Sequence, residues 1–333
     1  MPLTEIVLGV LAGLVLFLYG VTRLALGMRA VAGERMKRIL ARGTRTRLGG
    51  LACGIATTAI LDSSSVTIIM VIALVDAGLI ASADSLAVIL GANIGTTISS
   101  QLLALDVQRY APVVLAVGLV LLVAGRTVSW RAAGTAVFGL GLVFFGLFLM
   151  GDAVEPLRGS ARFAQWMTRM ESPLVGVLVG GVVTLVLQSS SATVGIVLTL
   201  ASQGLVTLPA GLAVMLGAEI GTCADTLLAT IGRSRAAVRA GVFHLAFNLV
   251  SVAVGVALLP LLVRLVTAIG GDPSRQVANA HVAFNVLGAA AMLGFVGPAS
   301  RVLERLVPER DAAVVSAGSR PIEGEPAPEL PVV

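Results

Sequence analysis

Two serine triplets set inside apolar sequence are the residues here most suited to chemistry. Ser63, Ser64 and Ser65 recur 126 positions later, without a gap, as Ser189, Ser190 and Ser191. Around them, Gly54, Thr58 and Leu61 recur as Gly180, Thr184 and Leu187, and GANIGTT (91–97) recurs as GAEIGTC (217–223). A serine run that interrupts a helix frees backbone N–H and C=O groups, which must then be satisfied by protein or by solute. The helix that starts after the break presents N–H groups and partial positive charge, which suit an oxyanion. Hydroxyls from Ser63, Ser64, Ser65, Thr67, Ser189, Ser190, Ser191 and Thr193 add donors. The carbonyl ends of the preceding half-helices, with Gln188, suit a sodium ion. Neither apolar run contains Lys or Arg in its interior, so such a site would hold anion and cation without a basic side chain.

The elements that position these residues follow from composition. The 333 residues are 57% hydrophobic and only 12% charged, with mean hydropathy +0.98. That is more apolar surface than a soluble domain can hide. Apolar runs of about 20 residues recur, as membrane-spanning helices require, whereas no series of alternating ten-residue segments suggests a barrel. The expected fold is an all-α polytopic membrane protein built from inverted structural repeats, each with a re-entrant helical hairpin. Cys53 and Cys223 both lie in apolar stretches and read as packing residues. The first apolar run has its basic flank after it, which favours a retained helix over a cleaved leader. The net charge of +5 comes from loop arginines and reports orientation, with no call for nucleic acid as a partner.

Along the chain we expect a first transmembrane helix in 1–28 and a basic cytoplasmic linker in 29–47. Repeat 1 (48–125) holds a hairpin over 48–75 with its tip near Ser63–Ser65, then helices over 85–103 and 110–124. A transmembrane helix (132–150) and an external linker fill 126–172. Repeat 2 (173–264) holds a hairpin over 173–202 with its tip near Ser189, then helices over 210–231 and 240–263. A last transmembrane helix lies in 265–300, over 277–296, and 301–333 forms a disordered cytoplasmic tail. If each hairpin returns to its own side, a unit has three crossings and the second unit is inverted. The basic loops then share one face, which places the N-terminus outside and the C-terminus inside the cytoplasmic membrane.

GANIGTT and GAEIGTC form the second element of the expected site. Their glycines permit close approach, and Asn93, Thr96, Thr97 and Thr222 are polar groups that a lipid-facing helix would not tolerate. The same spacing also serves plain helix packing. QSSSAT at 188–193, the serines at 63–65, GANIGTT and the duplicated layout together resemble the sodium/phosphate cotransporters of the Na/Pi-II type and their bacterial relatives, over about residues 5–297. The resemblance implies secondary active transport of inorganic phosphate with Na+ as coupling ion. It assigns Gln188, Ser189, Ser190 and Ser191 to phosphate and Na+, with Ser63, Ser64 and Ser65 as their counterparts and Thr222 as a sodium residue. The H-x-x-F-N segments at 244–248 and 281–285 also occur in that family. Their His and Asn, four apart, share a helix face and suit interhelical hydrogen bonds.

Two positions depart from the pattern: Asp62 stands where Gln188 stands in the second copy, and Glu219 stands where Asn93 stands in the first. Asp225 follows on the same helix as Glu219. Carboxylates in a membrane interior are costly and point to function. Beside a phosphate dianion, Asp62 and Glu219 must pair with Na+ or hold a proton, so they are the expected coupling residues, with Thr96, Gln188 and Thr222. Transport of another anion, or of cations alone, is the competing reading. A serine hydrolase would need a positioned base and has no G-x-S-x-G elbow, and no G-x-x-x-x-G-K-[ST] segment supports ATP-driven pumping. Expected partners are inorganic phosphate, Na+ and the lipid bilayer. A homodimer is compatible with the pattern.

Overall fold

The computed structural model describes residues 3–44, 46–105, 108–160 and 172–309, and the described residues are helical with short connections. In order they form α1 (Leu3–Gly43), α2 (Arg47–Leu61), α3 (Ser64–Asp76), α4 (Ser82–Leu103), α5 (Ala111–Ala124), α6 (Val128–Val154), α7 (Pro173–Leu187), α8 (Ser190–Ser202), α9 (Leu208–Gly221), α10 (Cys223–Leu228), α11 (Arg235–Ala257), α12 (Leu259–Ile269), α13 (Pro273–Leu293) and α14 (Val296–Leu306). Six stretches are long and apolar enough to cross a bilayer: Thr4–Val31, Ser82–Leu103, Val128–Leu157, Leu208–Leu228, Arg235–Ala257 and Pro273–Leu293. Large apolar side chains such as Leu8, Val123, Leu178 and Val186 stand on the outside, as a lipid-facing surface allows and an aqueous one does not.

Several expected boundaries shift. The basic stretch expected as a linker over 29–47 continues the first helix: α1 runs through it to Gly43. The helix expected over 210–231 is interrupted at Thr222, between α9 and α10. The helix expected over 240–263 ends at Ala257, because Pro260 in the first turn of α12 has no N–H to continue it. Helix α14 carries the chain to Leu306, so the stretch from 301 begins as helix. The expected disorder further on, and most of the external linker within 152–172, fall on residues outside those described.

Helices α1 and α6 lie against each other along a stripe of small residues. A Cβ at Gly20 would sit 2.7 Å from the Gly139 carbonyl oxygen, and one at Gly146 would sit 2.5 Å from the Gly13 oxygen. Such close backbone approach is how helices associate where lipid removes the hydrophobic drive. Inside, two apolar clusters form. One gathers Phe17, Leu147, Val197, Leu212, Met215 and Val277 around α8. The other gathers Ile68, Ile72, Leu86, Ile89, Phe243 and Phe247 around α3.

Candidate functional site

Each serine triplet begins with a helix cap. Asp62 ends α2 in the left-handed conformation (φ 51°, ψ 34°), and Gln188 ends α7 the same way (φ 53°, ψ 31°). Among the described residues they are the two non-glycine residues with positive φ. Left-handed backbone costs a non-glycine residue of the order of 1 kcal/mol, so both breaks are held by their surroundings. Ser63 and Ser189 then turn extended and cap the next helix, their hydroxyls accepting from Val66 N–H at 3.2 Å and Ala192 N–H at 3.1 Å. The arms are latched by matching threonine pairs: Thr58 donates to Thr67 at 2.9 Å and Thr184 to Thr193 at 2.7 Å. Thr67 and Thr193 also donate to the carbonyls of Ser63 and Ser189. Ser64 and Ser190, both buried, open α3 and α8, whose first N–H groups have no acceptor within their own helix.

The first arm of each unit is seated on the GAxIG helix by reciprocal glycines. A Cβ at Gly54 would lie 2.1 Å from the Val88 carbonyl oxygen, and one at Gly91 would lie 2.0 Å from that of Leu51. The second copy repeats this, with Gly180 2.0 Å from the Val214 oxygen and Gly217 2.0 Å from that of Val177. These glycines serve close approach, as their spacing suggests.

Between the two apolar clusters runs a buried polar seam. Asn93 donates to the Asn248 side-chain carbonyl at 3.0 Å, and Asn248 donates to Cys223 Sγ at 3.3 Å. Glu219 Oε1 lies 2.7 Å from His281 Nε2 and accepts from Asn285 at 3.2 Å. The other nitrogen of His281, Nδ1, is 2.6 Å from Ser100 Oγ. His244 Nδ1 is likewise 2.8 Å from Thr226 Oγ1. Both H-x-x-F-N segments therefore act as interhelical hydrogen-bonding faces, joining α11 and α13 to α4, α9 and α10. Glu219 is 5% exposed and His281 fully buried, so each satisfies the other where neither meets bulk water.

The expected site residues fall into two groups. At the breaks stand Asp62, Gln188, the six serines, Thr67 and Thr193. Asp62 accepts a hydrogen bond from Ser99 on α4, and Gln188 is exposed. Asn93 and Glu219 belong to the seam. Thr96 and Thr222 return their hydroxyls to helix carbonyls, Ala92 at 3.2 Å and Glu219 at 2.9 Å, and keep acceptor lone pairs free. Ser99, beside Asp62, and Ser100 and Thr226, against the two histidines, were missed, whereas Asn248 was expected only as an interhelical hydrogen-bonding residue. Carrying the 126-residue register four and five positions beyond GANIG would have paired Ser99 with Asp225 and Ser100 with Thr226. Among the described residues no cluster of metal-ligating side chains appears. A 460 Å³ cavity between α11, α12 and α13 is lined by residues such as Val254, Leu262, Phe284 and Phe295, with Ser251 as its one polar side chain.

Known proteins are similar to this chain in sequence. An Escherichia coli protein described as "Putative inorganic phosphate export protein YjbB" is 26% identical over 94% of this chain, and the match covers 58% of that protein. "Uncharacterized protein YqeW" of Bacillus subtilis is 28% identical over 88% of this chain and 96% of its own length. The human "Sodium-dependent phosphate transport protein 2B" is 30% identical over 40% of this chain and 20% of its own. No solved structure matches. The sequence profile of the Na+/Pi-cotransporter family matches twice, over residues 16–152 and 149–293, so this multi-pass membrane protein belongs to the Na+/Pi-cotransporter family, a family of phosphate transporters.

Proposed function

We propose that the protein is a secondary active transporter that moves inorganic phosphate together with Na+ across the cytoplasmic membrane. The observation that carries this is the matched pair of breaks, each a left-handed residue followed by a capping serine and two further serines at a helix start. Each break supplies what a phosphate needs, N–H and hydroxyl donors at a helix N-terminus. It also supplies what Na+ needs, carbonyl ends and side-chain oxygens. Ser63, Ser64, Ser65, Thr67, Asn93, Ser189, Ser190, Ser191 and Thr193 are the phosphate side of this reading. Asp62, Thr96, Gln188, Glu219 and Thr222 are its coupling side.

The hairpins are read as re-entrant and the repeats as inverted. At 1.5 Å per residue, the 15 residues of α2 and of α7 extend about 22 Å, short of a hydrocarbon core of about 30 Å. The loop arginines then fall on one face, with the N-terminus outside. Relatives described as an exporter and as a sodium-dependent transporter leave the direction of net flux to the prevailing gradients.

One observation favours a second reading, proton coupling. The buried Glu219–His281 contact holds a carboxylate and an imidazole that can share a proton. The test is uptake of radiolabelled phosphate into proteoliposomes with Na+ and pH gradients imposed separately. Uphill uptake driven by inward Na+ at equal pH is expected. Flux that ignores Na+ but follows the pH gradient would establish the second reading, and no saturable phosphate flux under either gradient would sink both.

A further inference from the structure

Each H-x-x-F-N segment also carries a phenylalanine, and the seam uses neither. His244 and Asn248, like His281 and Asn285, turn into the seam. Phe247 and Phe284 instead line the cavity between α11, α12 and α13. Their contacts there are reciprocal. A Cβ at Gly255 on α11 would lie 2.9 Å from the Phe284 ring, and one at Gly288 on α13 would lie 3.5 Å from the Phe247 ring. Each helix sets an aromatic ring on a glycine of the other, and the rings hold the two helices apart beside the open space.

The size and lining of this space select its occupant. Along α11 the lining runs from Phe247 to Leu258 at its end, about 16 Å at 1.5 Å per residue. It is apolar apart from the Ser251 hydroxyl, so water gains little by entering. Val250, Leu261, Leu287 and Phe295 line it and are also exposed, which makes it continuous with the apolar surface turned to lipid. An apolar cavity of about 150 Å³ holds one benzene, so 460 Å³ takes about 18 carbons. That is the content of one acyl chain. A helix about 10–12 Å across would not enter.

Charge marks where a headgroup would lie. Helix α12 joins the ends of two spanning stretches, Arg235–Ala257 and Pro273–Leu293. Its 11 residues reach about 16 Å, too short to cross a bilayer. It buries Leu259, Leu262 and Val266 and exposes Arg264, as a helix lying in the membrane interface does. Arg264 follows the cavity-lining Leu261 by three residues and so shares its side of the helix. Among the described residues no carboxylate pairs with it.

We propose that the cavity binds a single phospholipid, with one acyl chain between α11 and α13 and the headgroup phosphate at Arg264. The site lies directly behind the seam. The same two helices hold Asn93 through Asn248, and Glu219 through His281 and Asn285. A chain seated between them therefore fixes the spacing at which those hydrogen bonds are made. Lipid binding here is independent of the coupling ion and of the direction of transport.

The test uses the full chain, purified in a steroid-tailed detergent whose rigid tail cannot thread the cavity, and stripped of phospholipid. Palmitoyl-oleoyl phosphatidylglycerol is titrated in, and its apparent affinity is read from the rise in melting temperature. Wild type should show saturable stabilisation. Ala291→Trp places a ring in the cavity wall and should weaken apparent affinity at least tenfold. Val254→Trp plugs the space from the facing helix and serves if Ala291→Trp does not fold. Arg264→Gln should weaken affinity at least threefold. Val123→Trp, on the exposed side of α5, is the control and should stay within twofold of wild type. Plugged variants that titrate like wild type would overturn the proposal, as would an Arg264→Gln protein that does so. An equal loss in Val123→Trp would also overturn it, by reducing the effect to general coating of the surface with lipid. A wild-type dimer that Ala291→Trp splits, with lipid affinity unchanged, would assign the cavity to a second copy of the chain instead.

Discussion

Replacing Gly180 by alanine should separate the second hairpin from the helix that carries it. A Cβ there would lie 2.0 Å from the Val214 carbonyl oxygen and 2.8 Å from its carbon. Both are backbone atoms inside a helix, so neither can rotate aside. Ordinary contact begins at about 3.4 Å, which requires α7 and α9 to part locally by about 1.4 Å. The reciprocal contact of Gly217 with the Val177 oxygen, also 2.0 Å, opens with it, and close packing is lost along the interface. Overpacking a tight core costs about 1–3 kcal/mol and sometimes more. With backbone on both sides of the clash, we expect about 3 kcal/mol. The next residue is the control. A Cβ at Gly181 would meet the Gly217 oxygen at 3.5 Å, and replacing an interior helical glycine by alanine gains up to about 1 kcal/mol in propensity. Thermal unfolding of the purified protein in one detergent, followed by tryptophan fluorescence, compares them. At about 2 °C per kcal/mol, Gly180→Ala should melt about 6 °C below wild type and Gly181→Ala at or above it. Equal melting of the two variants, or the reverse order, would refute the geometric argument.

Other perturbations test the seam, the latch and the surface. His281→Ala leaves Glu219 with only the Asn285 amide, and removing one partner of a buried pair costs about 3–5 kcal/mol; His281→Gln, which keeps a donor, should lose less in the same melt. Thr184→Val removes the donor to Thr193, which keeps its bond to the Ser189 carbonyl at 3.3 Å, so a loss of about 1 kcal/mol is expected, with phosphate flux falling further than stability. At the exposed outer end of α3, the Ser234 backbone N–H, aided by its side chain and by Arg233, holds the Asp76 carboxyl below the usual carboxylate range. A depressed carboxyl stabilises above its unfolded pKa and loses that contribution only as pH falls through the lower folded value. Wild type and Asp76→Asn should therefore show parallel stability profiles from pH 5 to 8, and a gap that widens across that window would contradict the assignment.

What could be read from the chain was what local chemistry decides. A serine that caps a helix, a polar residue before it, and a second copy in register suffice to place both breaks within a residue. The long reach of α1 was not legible, because the basic run after Met28 differs in charge but not in its capacity for helix. Pro260 did mark a real boundary, yet an apolar run continues across it and hydropathy alone reads through. The interruption at Thr222 has no such signal: GANIGTT and GAEIGTC are nearly alike, and α4 runs unbroken where α9 stops. The seam was least legible of all. Glu219 was visible as a costly carboxylate, but its partner His281 lies 62 positions later on another helix, and only tertiary packing brings them together.

That packing also decides what a moving tip must break. The first arms, α2 and α7, are seated on α4 and α9 through backbone-to-glycine contacts that leave no room for sliding. The second arms reach further: α3 packs on α10 and α11 as well as on α4, and α8 on α4 and α13 as well as on α9. Each tip therefore bridges two bodies, one held by close backbone contact and one met through side chains. A displacement of α3 against α10 and α11 can therefore begin without opening the Gly54 and Gly91 contacts, which lie between α2 and α4.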